Sequence, residues 1–318
     1  AGSLFKKYRG GLMVDEVRGV MVPILTPLTE DEIVDRTSLR RLVAYLIDGG
    51  VHGIWAAGTT GEFAALDDAQ RLAVIETVVD EVSGRVPVIA NIAAPSTKLA
   101  VKLGREVQEL GLTGVAATPP YYYPCAQDEV LAHFRHIRDS VEVPLWVYNI
   151  PATVKTVVEP DTIATLANEG TVIGVKDSSG SGEPFAQLKF LSSISGFHLY
   201  RFLGSVFRIS TASAVGAHGV IPGIANLIPS IVSQAWEQGE AGNIVAARDY
   251  QQKIMTATKV TRLATGGGPN AASFSGMKSA LTIMGVLDND AVTMPLRRLT
   301  KRERQEIPAI LQELSIEV

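Results

Sequence analysis

The 318-residue sequence has one cysteine, Cys125, and aromatic side chains make up 6% of it. A single thiol cannot form an internal disulfide or a cysteine-rich metal site, so the composition fits a reducing, cytoplasmic setting. No apolar run reaches the roughly 18 residues that a membrane span needs. Residues 1–18 also lack the apolar segment of a signal peptide, so neither membrane insertion nor export is expected.

Positive charge is not in excess. The chain has 29 lysine and arginine residues against 33 aspartate and glutamate residues, and its formal net charge is -4. The basic residues are scattered, so a nucleic-acid partner is not expected. Apolar residues are plentiful, at 46%, and a chain of this length can bury a large core.

From about residue 19 onward, short β-branched apolar runs alternate with longer amphipathic stretches, as in βαβ units. The pattern predicts eight strands, at 20–26, 53–58, 87–93, 114–119, 144–149, 172–177, 198–204 and 219–224. It predicts eight intervening helices, at 35–48, 66–82, 96–110, 127–140, 159–169, 183–194, 205–215 and 228–239. This order predicts an α/β fold, a (β/α)8 TIM barrel. A doubly wound open sheet is the rival, but no GxGxxG or GxxxxGK[ST] motif follows a strand.

The last part of the chain has no further strand pattern. It predicts three helices, at about 241–263, 274–285 and 299–315, with a Gly-Gly-Gly-Pro segment at 266–269. We interpret this segment as a connector, since it follows a helix and lacks the lysine of a phosphate loop. The predicted division is therefore an N-terminal extension (1–18), a barrel (19–240) and a C-terminal helical region (241–318).

Polar motifs follow four of the predicted strands. They are GTTGE at 58–62, PYYYP at 120–124, YNIP at 148–151 and Lys176-Asp177. Active sites of TIM barrels lie at the carboxyl ends of the strands, so these motifs are the first candidates for a functional site.

Lys176 lies at the end of the apolar run 172–176. Burial would lower the pKa of its amine toward the neutral nucleophile that Schiff-base chemistry requires. A structural lysine that pairs with Asp177, or that reaches the barrel rim, fits the position equally well. Tyr148 could exchange a proton beside such a lysine, and Thr59 with Thr60 could bind a small carboxylate or simply cap a turn.

A metal site is not predicted. Among the five histidines, His133 and His136 have helical i,i+3 spacing, but no matching cysteine or carboxylate accompanies them. A GxSxG motif for serine hydrolysis is also lacking.

Taken in order, GTTGE, PYYYP, YNIP and GVKDSSG resemble the dihydrodipicolinate synthase / N-acetylneuraminate lyase family of pyruvate-dependent class I aldolases. The resemblance covers roughly residues 17–315. It implies that Lys176 forms an imine with pyruvate or another 2-keto acid, and that Tyr148 relays protons. Thr59 would link Tyr148 to Tyr122, which this family inserts from a neighbouring subunit. The resemblance also implies a homotetramer, arranged as a dimer of dimers.

The resemblance assigns the keto-acid carboxylate to Thr60 and to the backbone of Thr59. It places the carbonyl of Ile221 near the lysine nitrogen. The covalent imine on Lys176 takes the place of a cofactor, so neither a cofactor nor a metal is expected.

The departures from the family pattern bear on the substrate. The synthases bind aspartate semialdehyde through an arginine five residues after the strand-five tyrosine, and this position is Thr153 here. Where lysine-inhibited synthases carry Asn and Glu, this chain has Pro95 and Leu99. The acidic pair that sialic acid lyases place after the glycine of strand seven is also missing, since Gly204 precedes Ser205. We expect five positions to contribute to the variable part of the pocket: Thr153, Ser178, Gly204, Ser205 and Gly223.

The sequence therefore predicts a lyase that cleaves or dehydrates a 2-keto-3-deoxy sugar acid or a 4-hydroxy-2-oxo acid. The first alternative is 4-hydroxy-tetrahydrodipicolinate synthase, which condenses pyruvate with aspartate semialdehyde. Its carboxylate anchor would then lie elsewhere, for example at Lys155. A non-catalytic paralogue that binds a keto acid is the second alternative.

Overall fold

The computed structural model describes residues 17–180 and 182–317. Eight parallel strands form a closed barrel in chain order. They are β1 (Gly19–Pro23), β2 (Gly53–Ala56), β3 (Val88–Asn91), β4 (Gly114–Ala117), β5 (Leu145–Asn149), β6 (Gly174–Asp177), β7 (Tyr200–Leu203) and β8 (Gly219–Val220). The barrel closes where Gly19 and Val20 pair with Gly219 and Val220. The predicted (β/α)8 TIM barrel is confirmed, and each strand lies at a predicted position.

All but one of the helices around the barrel also lie close to predicted positions. The helices are α1 (Arg36–Asp48), α2 (Asp68–Val82), α3 (Thr97–Val107), α4 (Gln127–Ser140), α5 (Pro151–Val154), α6 (Pro160–Asn168), α7 (Glu183–Ser195) and α8 (Pro229–Glu240). The exception is α5. Capping side chains fix several starts, because Asp35, Asp67 and Ser96 each accept a hydrogen bond from a backbone N–H in the first turn.

Two segments after strands differ from the prediction. The helix predicted at 205–215 is a short 3-10 turn, Val206–Thr211, which Arg208 interrupts with the non-helical angles φ -130° and ψ 21°. The four-residue helix α5, directly after β5, was not predicted. It starts at a proline, whose fixed φ suits a first helical position, and it ends at Lys155, whose φ is 64°.

The C-terminal region contains α9 (Ile244–Ala257), α10 (Pro269–Ile283), α11 (Lys301–Arg304) and α12 (Ile307–Glu313). Helix α10 starts five residues before the predicted boundary at 274, so the Gly-rich segment leads directly into it. The single helix predicted at 299–315 is two helices, α11 and α12, which a short turn separates. The division of the chain into extension, barrel and helical region stays a prediction, and residues 1–16 lie outside the described residues.

Large apolar side chains fill the inside of the barrel. Trp146 stacks on Tyr200 with ring centroids 5.7 Å apart, and Trp55 contacts Trp146 edge to face. Gly174 leaves room for this layer, since a Cβ there would come within 2.4 Å of the Trp146 ring. Lys176 is two residues further along β6, so its side chain points to the same interior, next to Tyr148 in the strand register. No described helix is long and apolar enough to cross a membrane.

Candidate active site

Lys176 ends the interior face of β6 and is buried, with 3% of the residue exposed. Its Nζ lies 4.1 Å from the ring centroid of Tyr148 and 5.0 Å from that of Trp55. Burial lowers the pKa of the amine, while the neighbouring phenol of Tyr148 partly counteracts this shift. Among the described residues, no carboxylate forms an ion pair with Lys176. The amine is therefore disposed toward its neutral, nucleophilic form.

The alternative pairing with Asp177 is not formed. Successive strand residues point to opposite faces, so Asp177 turns away from the barrel interior. Its carboxylate accepts hydrogen bonds from Asn149 Nδ2 and Ser179 Oγ, both at 2.9 Å. The interpretation of Lys176 as a structural partner of Asp177 is thus wrong for this fold.

Tyr148 connects the lysine to the loop after β2. Its hydroxyl lies 3.1 Å from Thr59 Oγ1, and either oxygen can donate the hydrogen bond. Two hydroxyls in contact beside a buried amine form a short path for proton transfer. Ile221 belongs to the same interior cluster as Tyr148. Gly223 follows β8 beside Thr60, since a Cβ there would lie 3.4 Å from Thr60 Oγ1.

The loop 58–62, which carries both threonines, is held from the barrel side. Thr26 Oγ1, just after β1, donates a 2.8 Å hydrogen bond to the carbonyl of Gly61. A Cβ at Gly61 would come within 2.9 Å of the Ile24 carbonyl oxygen, so the close approach requires glycine.

The same loop is also held from the C-terminal region. Glu62 has a left-handed backbone, with φ 60°, and its carboxylate forms a buried ion pair with Lys278 of α10. The backbone N–H and the hydroxyl of Thr293 also donate to Glu62, each at 2.8 Å. Lys278 donates in addition to the carbonyl of Ala291, at 2.7 Å. The position of Thr59 therefore depends on contacts with residues more than 200 positions later in the chain.

Sequence reasoning missed Lys278, because nothing in a single helical pattern reveals a partner so far away. One signal was present. Lys278 is surrounded in α10 by buried small or apolar residues, including Gly276, Met277, Ser279 and Ala280. A lysine in such a stretch is rarely buried without a partner, so the pattern points to an acidic group elsewhere.

Tyr122 does not join the Tyr148–Thr59 pair within one chain. It is 80% exposed, it has φ 87°, and its ring packs on Tyr123 with centroids 5.0 Å apart. Its neighbour Tyr121 instead packs edge to face on Phe63, at 6.1 Å. Insertion of Tyr122 into a neighbouring subunit stays a prediction.

The expected specificity positions fall into separate places. Ser178 and Gly204 are adjacent, since a Cβ at Gly204 would lie 2.1 Å from Ser178 Oγ. Ser205 Oγ accepts a 3.3 Å hydrogen bond from the backbone of Phe207 and so caps the 3-10 turn. Thr153 lines a cavity next to Thr59, whereas Ser178, Gly204, Ser205 and Gly223 are not part of its wall.

This cavity has a volume of about 290 Å³ and lies between the loops after β2 and β5 and the C-terminal region. Most of its wall is apolar, with major contributions from Phe63, Tyr121, Ile150, Val154, Phe274 and Leu296. The hydroxyl of Thr153 donates to the carbonyl of Ile150, at 3.2 Å. The cavity therefore presents an apolar surface beside one member of the Tyr148–Thr59 pair.

His133 is a buried structural residue. Its Nδ1 lies 2.8 Å from Thr97 Oγ1 and its Nε2 lies 3.1 Å from the carbonyl of Thr118. Burial lowers its pKa to about 4. In the part of the chain that the structure describes, no three His, Cys, Asp or Glu side chains are grouped to hold a metal ion.

Comparison with known proteins gives consistent matches over nearly the whole chain. The model of the dihydrodipicolinate synthetase family matches residues 16–314. A 4-hydroxy-tetrahydrodipicolinate synthase of Trichlorobacter lovleyi is 32% identical over 94% of this chain and 99% of its own length. A DapA-like lyase of Halobacterium salinarum is also 32% identical, over 94% of this chain and 95% of its own length. The solved dihydrodipicolinate synthase of Bacteroides thetaiotaomicron superimposes with a TM-score of 0.87 at 30% identity, over 93% and 98% of the two chains.

Proposed function

The chain belongs to the dihydrodipicolinate synthetase family, a family of Schiff-base lyases, and we propose that it uses Lys176 to form an imine with pyruvate or a related 2-keto acid. One observation carries the proposal. The Lys176 amine is buried without a carboxylate partner among the described residues, next to the Tyr148 ring. A lysine in this setting is activated as a nucleophile by desolvation.

The proposed reaction begins with attack of the neutral Lys176 amine on the keto carbon. Tyr148 and Thr59 transfer a proton from the nitrogen of the adduct to its alkoxide oxygen, which gives the carbinolamine, and then protonate the hydroxyl, which leaves as water. Thr60 and the backbone of Thr59 bind the carboxylate, and the carbonyl of Ile221 faces the nitrogen. The imine withdraws electrons from C3, so that a carbanion at C3 is stabilised as an enamine.

We extend the proposal to the assembly. Tyr122 would complete the Tyr148–Thr59 pair of a neighbouring subunit in a homotetramer. Its support is that Tyr122 projects from its own chain, 80% exposed, on a backbone with φ 87°. Sedimentation of the purified protein tests the assembly, and the Tyr122→Phe variant tests the contact.

Two specific reactions are compatible with this chemistry. The names of the curated relatives support 4-hydroxy-tetrahydrodipicolinate synthase, the condensation of pyruvate with aspartate semialdehyde, better than the sugar-acid lyase that the sequence motifs predict. Cleavage or dehydration of a 4-hydroxy-2-oxo acid is the second candidate. It is favoured by Thr153, which stands where the synthases carry an arginine.

Intact mass after borohydride reduction in the presence of pyruvate tests the shared mechanism. We expect a pyruvyl adduct on the wild type and none on Lys176→Ala. An adduct in neither protein would contradict the imine and favour a non-catalytic binder. If the adduct forms on the wild type alone, a second assay identifies the specific reaction. Consumption of pyruvate with aspartate semialdehyde, at a rate comparable to that of a good synthase, would identify the condensation.

A further inference from the structure

The cavity beside Thr59 borders the proposed proton path at Thr59, whereas Tyr148 and Lys176 lie outside its wall. Thr59 lies in its wall and contacts Tyr148, which in turn lies next to the Lys176 amine. A molecule in the cavity is thus adjacent to the proposed proton path. This inference rests on the proposed function, because it concerns the second substrate of the same site.

Most polar groups in the cavity wall already have partners within the chain, and the Tyr121 hydroxyl, like the Asn270 amide, is uncharged. Glu62, the charged residue of the wall, is neutralised by Lys278 and accepts two further hydrogen bonds from Thr293. Thr153 donates its hydroxyl to the carbonyl of Ile150, and Thr118 donates to the carbonyl of Pro119. Asn270, exposed at the start of α10, adds an uncharged amide. The wall therefore offers no cation to an anionic ligand.

A second carboxylate or a polyol would lose its water in this cavity without gaining equivalent hydrogen bonds, which disfavours its binding. Lys155 does not supply a cation to this cavity, since its side chain is exposed and outside the cavity wall. An apolar group has no hydrogen bonds to water that it would lose on entering. Its transfer from water to contact with Phe63, Val154 and Phe274 is favourable.

We propose that this cavity holds the partner of pyruvate, and that this partner is an apolar aldehyde, aromatic or branched aliphatic. The volume permits this, since an apolar cavity of about 150 Å³ already holds benzene, and here about 290 Å³ is available. The corresponding product, or the substrate in the cleavage direction, is a 4-hydroxy-2-oxo acid with an apolar group on C4.

The reaction balances without an oxidant or reductant. Pyruvate and Lys176 form the imine with loss of water, and C3 loses a proton to give the enamine. The enamine electron pair forms the new bond to the aldehyde carbon, while the aldehyde oxygen takes up a proton. Water then releases the ketone and regenerates the amine, so one pyruvate and one aldehyde yield one 4-hydroxy-2-oxo acid.

The test compares three aldehydes with pyruvate as the common partner: benzaldehyde, aspartate semialdehyde and glyceraldehyde. Product formation is followed by mass spectrometry and pyruvate consumption. We expect kcat/KM for benzaldehyde to exceed that of the other two by about tenfold or more. Borohydride trapping with pyruvate alone is measured first, because it reports the imine and not the second substrate.

Two substitutions at one position sharpen the test. Thr153→Arg places a cation in the wall, so it should lower the use of benzaldehyde and raise that of aspartate semialdehyde, reversing the preference. Val157→Arg adds the same charge on an exposed part of the same loop and should leave the preference within about twofold of the wild type. Thr153→Val keeps the shape of the wall but replaces the hydroxyl with a methyl group, so it should raise the preference for benzaldehyde over aspartate semialdehyde.

The outcomes separate the inference from the proposed function. Normal trapping together with equal or better use of aspartate semialdehyde or glyceraldehyde would overturn the inference and leave the Schiff-base lyase intact. A tenfold loss of benzaldehyde use in Thr153→Val would also overturn it, because the hydroxyl would then be the binding group. Absence of trapping in the wild type would overturn both.

Discussion

Two buried lysines in this molecule have opposite surroundings. Lys176 lies inside the barrel against the rings of Tyr148 and Trp55, and Lys278 lies in α10 against the carboxylate of Glu62. Burial lowers the pKa of both amines, but at Lys278 the carboxylate counteracts this shift and favours the ammonium. Lys176 receives only the weaker influence of the Tyr148 phenol.

The difference between the partners of these two lysines shows that burial alone does not determine the role of a lysine. A buried ammonium with a hydrogen-bonded carboxylate is a structural element, because its charge is compensated and its amine is not free to react. A buried amine that faces aromatic rings keeps its lone pair available. Both lysines are linked to the loop 58–62. Lys278 pairs with Glu62 of this loop, and Lys176 lies next to Tyr148, which contacts Thr59 of the same loop.

The largest effect should come from removing the reactive amine. Lys176→Ala is expected to abolish the borohydride-trapped adduct and to lower pyruvate turnover by about a thousandfold or more, because the other described lysines are either exposed or, at Lys278, paired with Glu62. Intact mass and steady-state rates check this. Lys301→Ala, on the surface of α11, is the control and should behave as the wild type. An adduct on Lys176→Ala would assign the imine to another lysine and break the comparison.

Removing the structural amine should instead affect stability. Lys278→Met leaves the Glu62 carboxylate buried without its cation, which costs about 3–5 kcal/mol of unfolding free energy. Urea titration measures the loss, and Glu62→Gln added to Lys278→Met should recover part of it.

Lys259→Met provides the matched control, since Lys259 forms an exposed ion pair with Glu313 at 2.7 Å. Its cost should stay within about 1 kcal/mol. The folded fraction of Lys278→Met should still form the pyruvyl adduct. Loss of the adduct at full folding would show that both lysines are needed for the imine.

The phenol beside Lys176 should contribute to the rate and not to the fold. Tyr148→Phe removes one oxygen of the Tyr148–Thr59 pair, and we expect turnover to fall by about a hundredfold while trapping persists. Tyr45→Phe is the control, because it removes a hydroxyl that donates to the carbonyl of Leu227, away from the site. Turnover unchanged in Tyr148→Phe would exclude the proposed proton path.

The smallest effect concerns pH. The amine is inactive when protonated, so the rate of adduct formation should rise with pH through the lowered pKa of Lys176 and level off below the ordinary lysine value of 10.5. Borohydride trapping, stopped at fixed times across a pH series, measures the pH at which the rate of adduct formation is half its maximum. The same midpoint is expected in the folded Lys278→Met variant. A midpoint at the ordinary value would show that Lys176 is not desolvated in solution.

Much of the fold was predictable because the buried parallel strands are short apolar runs and the helices carry local start signals such as Asp35 and Asp67. The departures have physical causes. Helix α5 has only four residues, too few to show a helical period, and the 3-10 turn at Val206–Thr211 breaks at Arg208 without a glycine or proline. Helix α10 starts at Pro269, and proline is a favourable first helical residue. The three glycines directly before it hid this start in the sequence.

For the candidate site, the residues at strand ends were predictable since a parallel barrel gathers them at one rim. The wall of the cavity was not predictable, because Phe274 and Leu296 come from the C-terminal region and reach the rim only in the folded chain. The pairing of Glu62 with Lys278 was hidden for the same reason, as 216 positions separate the two residues.

That separation has a consequence during synthesis. A ribosome releases β1 to β8, with Lys176 and Tyr148, well before it releases Lys278, and domains generally fold in the order of synthesis. Until α10 emerges, the Glu62 carboxylate lacks its cation and the loop 58–62 lacks one of its two attachments. The loop 58–62 is thus held from both sides only after α10 has been synthesised, so a product that ends before residue 278 would carry Lys176 and Tyr148 without a firmly placed Thr59.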